Sequence, residues 1–274
     1  MNLRRAGRNR YTDRWTWRVG CPCGRTRSNR CAFRVAQLER VRNLAGPVEF
    51  SIYGLWSLCK NKDVPRKVRE VTTQISPAEA WQRLLAGNKR FVSGDALHPN
   101  QDASRRSALV DSQNPFAVIF GCSDSRLAAE IIFDLGLGDA FVVRTAGHVI
   151  DDAVLGSLEY GVSVLNTPLI VVLGHDNCGA VTATKNAVET GEMPPGFIRD
   201  LVERITPSVL TSLREDKTDV NDMVVEHAKQ TAARLLESSQ VISSAVDNSS
   251  TAVIGVAYRL EEGRADLVSE FDML

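Results

Sequence analysis

Histidine is scarce in this chain. Only four of its 274 residues are histidine and none precedes His98, so the cysteines near the start lack the imidazole partners that mixed Cys/His zinc knuckles use. Long apolar runs are missing as well. The best early candidate, Leu44 to Cys59, is broken by Pro47 and Glu49, falls short of the roughly 20 residues a membrane span needs, and is followed by no small-residue cleavage pattern. Neither a membrane span nor a secretion signal is expected. Six cysteines without a framework-like spacing argue against a disulfide scaffold and suit a reducing cytoplasm. Methionine is absent between Met1 and Met193. If the true start codon reads as valine or leucine, Val64, Val68 and Val71 are alternative starts.

Net charge is absent too, but only as a sum. The 33 basic side chains equal the 33 acidic ones, yet residues 1–75 hold 17 Lys+Arg against 5 Asp+Glu, so the remainder carries a matching acidic excess. The chain is two compositions joined. The first holds Cys21, Cys23, Cys31 and Cys59 and three of the four tryptophans, without a sustained helical or strand period. A nucleic-acid arm would need such clustered arginine. Cys21 and Cys23, however, are separated by one residue where zinc knuckles use two to four. Residues 1–75 are therefore expected to be a disordered basic extension or the product of a mis-called start, with no nucleic-acid partner, and 76–274 the folded domain.

That domain opens on Ser76-Pro77-Ala78-Glu79, a capping box with proline at the first helical position. Trp81, Leu84, Leu85, Phe91 and Val92 follow at helical spacing and predict an arm helix with one buried stripe. Strands are expected at 117–120, 140–144, 169–173 and 252–260, with an antiparallel fifth at 264–268 after Glu261-Glu262-Gly263. Helices are expected at 128–134, after Asp151 or Asp152, from Cys178 to Gly191, and at 197–213 and 222–245. This alternation predicts an α/β fold: a mainly parallel sheet of four to five strands flanked by helices, with an N-terminal arm helix.

Two short motifs carry the chemistry. Cys122-Ser-Asp-Ser-Arg126 follows the first strand and His175-Asp-Asn-Cys178 the third. In parallel sheets, sites gather beyond the carboxyl ends of strands where the strand order reverses, so the motifs meet if those strands are neighbours. Two thiols and an imidazole are a zinc-preferring set. Cys178 falls at a helix start, which favours its thiolate. Asp124 can close the fourth position, or Arg126 can hold that carboxylate in a bidentate pair and leave the position to water. The first outcome is a structural site and the second a catalytic one.

CSDSR and HDNC, with FVVRTAGH between them, resemble the beta class of carbonic anhydrases over about residues 76–268. The resemblance implies a zinc lyase that reversibly hydrates carbon dioxide to bicarbonate and a proton by zinc-bound hydroxide. It implies one Zn²⁺ per subunit on Cys122, His175 and Cys178, and Asp124–Arg126 as the catalytic dyad. It further implies a homodimer or homotetramer in which the arm helix embraces a partner. Because two thiolates already cancel the charge of Zn²⁺, activity should rise on the alkaline side of neutral. Some members close the site at lower pH by moving the aspartate onto the metal and bind bicarbonate in a second pocket. The Arg and Tyr of that pocket match Arg144 and Tyr258, while Ile119 stands where they carry tryptophan.

Three other functions are weighed against it. A carbon disulfide hydrolase would share every ligand, and would turn over carbon disulfide with negligible hydration of carbon dioxide. A thiol oxidoreductase pairing Cys122 with Cys178 would need no metal and leaves His175 and Asp124 unused. A zinc-dependent nucleic-acid binder would depend on residues 1–75. His148 is a candidate proton relay, but as a loop histidine it is expected to make a local hydrogen bond, and His98 and His227 carry no signal.

Overall fold

The computed structural model describes residues 75–272. The basic extension expected over residues 1–75, with its four cysteines, lies outside the described residues but for Ile75.

The arm helix α1 spans Pro77–Ser93 and the capping box forms as read: the Ser76 hydroxyl accepts from the Glu79 N–H while the Glu79 carboxylate accepts from the Ser76 N–H. A six-residue helix that the sequence reading missed, α2 (Ala103–Ala108), is capped by Asp102 and buries no residue, so no apolar stripe announces it. Strand β1 (Ala117–Cys122) leads to a single turn, α3 (Ala129–Ile132), where a seven-residue helix was expected. Asp134 at φ 46° turns the chain out of the helix. Strand β2 (Ala140–Thr145) ends in a 3-10 turn, Ala146–His148, and α4 (Asp152–Ser163) is capped by Asp151.

Strand β3 (Leu169–His175) precedes α5 (Gly179–Thr190), for which Cys178 is the N-cap. Helices α6 (Ile198–Arg214), α7 (Val220–Ser238) and α8 (Gln240–Asp247) follow. The single helix expected over 222–245 is two, because Ser239 adopts an extended conformation and its hydroxyl caps α8 by accepting from the Ile242 N–H. Strands β4 (Ala252–Tyr258) and β5 (Ala265–Phe271) close the chain as the expected antiparallel pair.

The sheet order is β2-β1-β3-β4-β5, with the first three pairings parallel. Residues of β1, β3 and β4 are buried throughout, as strands covered on both faces should be. Alternation divides the core. Ile119, Val171 and Ile254 pack beneath α1, α6 and α7 with Trp81, Leu84, Ile205 and Met223. Val118, Phe120, Ile170 and Val172 pack on the other face with Val154, Leu158, Leu235 and Ile242 from α4, α7 and α8. The chain leaves β1 toward β2 on one side and returns as β3 on the other. The strand order therefore reverses between β1 and β3, and the crevice beyond their carboxyl ends is where such sheets place sites.

Candidate metal centre

Cys122 and His175 are the last residues of β1 and β3, not the first residues after them. The β1–β3 register pairs Gly121 with Leu173, which sets the two side chains at the same end of adjacent strands. Cys178 joins them from the N-cap of α5. The sulfurs and one imidazole nitrogen lie within 4.8 Å of one another, and all three side chains are buried.

The donor set fits a metal ion on its own chemistry. His175 Nδ1 lies 2.9 Å from the carbonyl of Asp176, which can only accept, so Nδ1 carries the hydrogen and Nε2 presents its lone pair. That Nε2 is fully buried without a hydrogen-bond partner. A buried nitrogen lone pair facing two sulfurs is an expensive arrangement unless something accepts it. The carbonyl itself is steadied: Arg259 Nη1 donates to Asp176 Oδ1 at 2.9 Å, and the Asp176 N–H donates to Tyr258 O.

Without a metal the two thiols compete for one negative charge. A hydrogen bond from Cys178 holds Cys122 well below the ordinary thiol range against the effect of burial, helped by His175 and by the N–H groups of Asp124 and Gly147. Cys178 is pushed up by the same contact, by burial and by the Cys122 charge. The α5 amides of Ala180 and Val181 do favour the Cys178 thiolate, as its helix-start position suggested, but the neighbouring sulfur outweighs them. A divalent cation removes the conflict by stabilising both thiolates. For His175, burial disfavours the charged ring, but the Cys122 sulfur beside it raises its pKa overall.

Asp124 and Arg126 sit above the three donors. Arg126 donates from Nε to Oδ1 at 2.9 Å, from Nη2 to Oδ2 at 2.8 Å and from its backbone N–H to Oδ1 at 2.9 Å. The arginine keeps the Asp124 carboxyl far below the usual carboxylate range. Its Oδ2 stands 3.8 Å from His175 Nε2, close to the donors but outside their set. Of the two arrangements the sequence left open, the structure holds the one in which arginine occupies the carboxylate. Arg126 is half exposed, so the pair lies at the solvent edge of an otherwise buried cluster.

Further residues support the site or lie beside it, of which Asn221 gave no signal in the sequence. Arg144 donates from Nε to the Cys122 carbonyl at 2.9 Å and from Nη2 to the Asp124 carbonyl at 2.6 Å, pinning the backbone of the first motif. Ile119, at the expected tryptophan position, is fully buried in the core. Asn221 accepts from the Asn177 N–H across the second motif. His148 makes no hydrogen bond; both ring nitrogens are buried and unpartnered, which corrects the local bond expected of it. His227 is buried and bonded on both nitrogens. A signal for it exists, since it lies on the buried stripe of α7 with Met223, Val224, Ala228 and Thr231.

The sequence profile of the carbonic anhydrase family matches residues 117–265. "Carbonic anhydrase 2" of Mycobacterium tuberculosis is 55% identical over 192 residues, which are 70% of this chain and 93% of that protein. Among solved structures, the beta-carbonic anhydrase CcaA aligns with a TM-score of 0.53 at 26% identity, covering 70% of this chain and 92% of its own. One of two tetrameric beta-carbonic anhydrases from the ascomycete Sordaria macrospora gives 0.56 at 20% identity, over 70% of this chain and 98% of its own, a likeness of fold.

Proposed function

Because the chain belongs to the beta class of the carbonic anhydrase family, we propose that it is a zinc lyase hydrating carbon dioxide reversibly to bicarbonate and a proton, with Cys122, His175 and Cys178 as the metal ligands. The observation that carries the assignment of residues is the unpartnered Nε2 of His175, turned toward two sulfurs beneath an Asp–Arg pair.

When bound there, zinc supplies a Lewis acid that makes water a nucleophile near neutral pH. The chain's own groups do the rest. Asp124, fully ionised, accepts a hydrogen bond from the reacting water and aims its lone pair at the carbon of carbon dioxide. Arg126 keeps the carboxylate from taking the water's place. The water's oxygen forms the new C–O bond, one of its protons leaves through the exposed edge beside Arg126 to solvent or buffer, and bicarbonate departs the same way.

Residues 76–274 constitute the catalytic domain and residues 1–75 are dispensable to it. The protein assembles as a homo-oligomer. Tetrameric relatives support this, and so does β2, an edge strand beside which Leu137, Tyr160, Val164 and Val110 expose apolar surface around one groove. Its free buried thiols suit the cytoplasm. Among the described residues no helix is long and apolar enough to cross a membrane.

Stopped-flow hydration of carbon dioxide with zinc content measured alongside tests the reading. One zinc per chain and a rate that climbs from about pH 6 to about pH 9 are expected. A zinc-loaded protein that leaves carbon dioxide untouched, or turns over carbon disulfide in its stead, would overturn it.

A further inference from the structure

His227 is the one histidine of α7, and it reaches the metal ligands through a glycine. Gly147, in the 3-10 turn after β2, stands at φ 65° and ψ 21°, a left-handed conformation that glycine adopts freely and other residues rarely do. A side chain there would also meet Ala180 Cβ and Ile205 Cδ1, each at 2.8 Å. The Gly147 N–H donates to Cys122 Sγ at 3.2 Å. Its carbonyl lies 2.9 Å from His227 Nε2. A carbonyl can only accept, so Nε2 carries the hydrogen.

The other face of the ring is held as firmly. His227 Nδ1 is 3.0 Å from the hydroxyl of Ser208 on α6, which is also 3.1 Å from Gln230 Oε1. Burial pushes the His227 pKa down to about 4, so at neutral pH the ring is uncharged and Nδ1 is an acceptor; the single Ser208 hydrogen serves either Nδ1 or Gln230 Oε1 at a given moment. His148 lies against the ring at 4.4 Å between centroids and makes no hydrogen bond that could compete for it. One tautomer and one orientation are thereby fixed.

We propose that His227 is a positioning residue for the metal centre: by clamping the Gly147 carbonyl it locks the glycine in its left-handed conformation and aims the Gly147 N–H at the Cys122 sulfur. This rests on the reading of Cys122 as a zinc ligand. Glycine by itself has little preference for that conformation, so the partner of its carbonyl helps to select it. A charge-assisted N–H···S⁻ contact draws electron density from the thiolate and would orient the lone pair it offers to a bound metal. Outer partners of this kind typically govern metal affinity by about 10- to 100-fold.

Two substitutions separate this role from plain packing. His227→Phe fills the ring's volume without a donor, while His227→Gln keeps an N–H within reach of the carbonyl. Zinc affinity by chelator competition, the sulfur-to-cobalt charge-transfer band of the cobalt(II)-substituted protein, and urea unfolding of the metal-free protein are measured for each. His227→Phe is expected to weaken zinc binding by about 10- to 100-fold and to move the band, with His227→Gln restoring both.

Zinc binding and a band unchanged in His227→Phe would overturn the proposal. So would losses in both variants that merely follow their metal-free stability. If His227→Phe does not fold, Ser208→Ala keeps the imidazole and removes its second partner together with the contact to Gln230; it supports the proposal if the band moves and refutes it if the band stays. A wild-type protein that binds no zinc fails the functional reading instead, whereas one that binds zinc and hydrates carbon dioxide while His227→Phe behaves identically fails only this inference.

Discussion

Asp124 makes three hydrogen bonds to the single residue Arg126, and the carboxylate stays 3.8 Å from His175 Nε2 because of them. Arg126→Ala removes the two side-chain donors and frees the carboxylate to approach the donor cluster. Hydration activity should fall by about 10²-fold or more at neutral pH with zinc content unchanged, as stopped-flow and metal analysis would show. A rate within a few-fold of wild type would remove the pair from the mechanism. His227 gives a second test at this scale. Burial, opposed by the Gly147 contact and reinforced by Arg234, lowers its pKa from the ordinary 6.5 to about 4. Between those values the unfolded chain binds a proton that the folded chain refuses, so stability is full above the higher value and is lost as pH falls toward the lower. The loss is of order 3 kcal/mol. Urea midpoints of metal-free protein should therefore drop from pH 7 to pH 4.5, and drop less in His227→Gln. Equal slopes in the two proteins would contradict the assignment.

Among elements, the arm helix packs Trp81 and Leu84 into the core and is tied to it by one buried polar side chain as well. Asn88 Nδ2 donates to the carbonyls of Ile132 at 3.1 Å and Gly263 at 2.8 Å, and Oδ1 accepts from the Ala265 N–H at 3.0 Å. It thereby joins α1 to α3 and to the β4–β5 turn. Gly87 beside it allows the approach, since a Cβ there would fall 1.8 Å from the Phe133 carbonyl oxygen. Asn88→Ala strands three backbone groups, each costing about 1–3 kcal/mol if it finds no water. An unfolding free energy lower by about 2–4 kcal/mol is expected from urea titration followed by circular dichroism. A loss below about 1 kcal/mol would mean that water replaces the amide. The sequence announced the helix through its capping box, but Asn88 looked like any polar residue because its three partners come from distant segments.

For the whole molecule, the exposed edge of β2 and the apolar side chains beside it predict association. Light scattering should give an integer multiple, two or more, of the 30.1 kDa chain, and Val164→Asp should shift it toward one. A wild-type chain that scatters as a single 30.1 kDa species would exclude the oligomer. A chain starting at Val71 should keep the hydration rate of the full protein; loss of that rate would assign residues 1–75 a part in catalysis.

Local chemistry made much of this protein legible in advance. Capping boxes, buried apolar runs and the spacing of Cys122, His175 and Cys178 act within a few residues of themselves, so the strands, most helices and the three donors could be read from the chain. Helix boundaries failed where a single residue overrode the pattern, as Ser239 does between α7 and α8. The adjacency of β1 and β3, the capture of Asp124 by Arg126 in preference to the donor cluster, the spending of Arg144 on two backbone carbonyls, and the line from Ser208 through His227 and Gly147 to Cys122 were decided only by tertiary structure. Apart from the Asp124–Arg126 contact, which lies within one motif, each depends on groups from separate segments arriving at hydrogen-bonding distance, and that distance is set by how helices pack on a sheet.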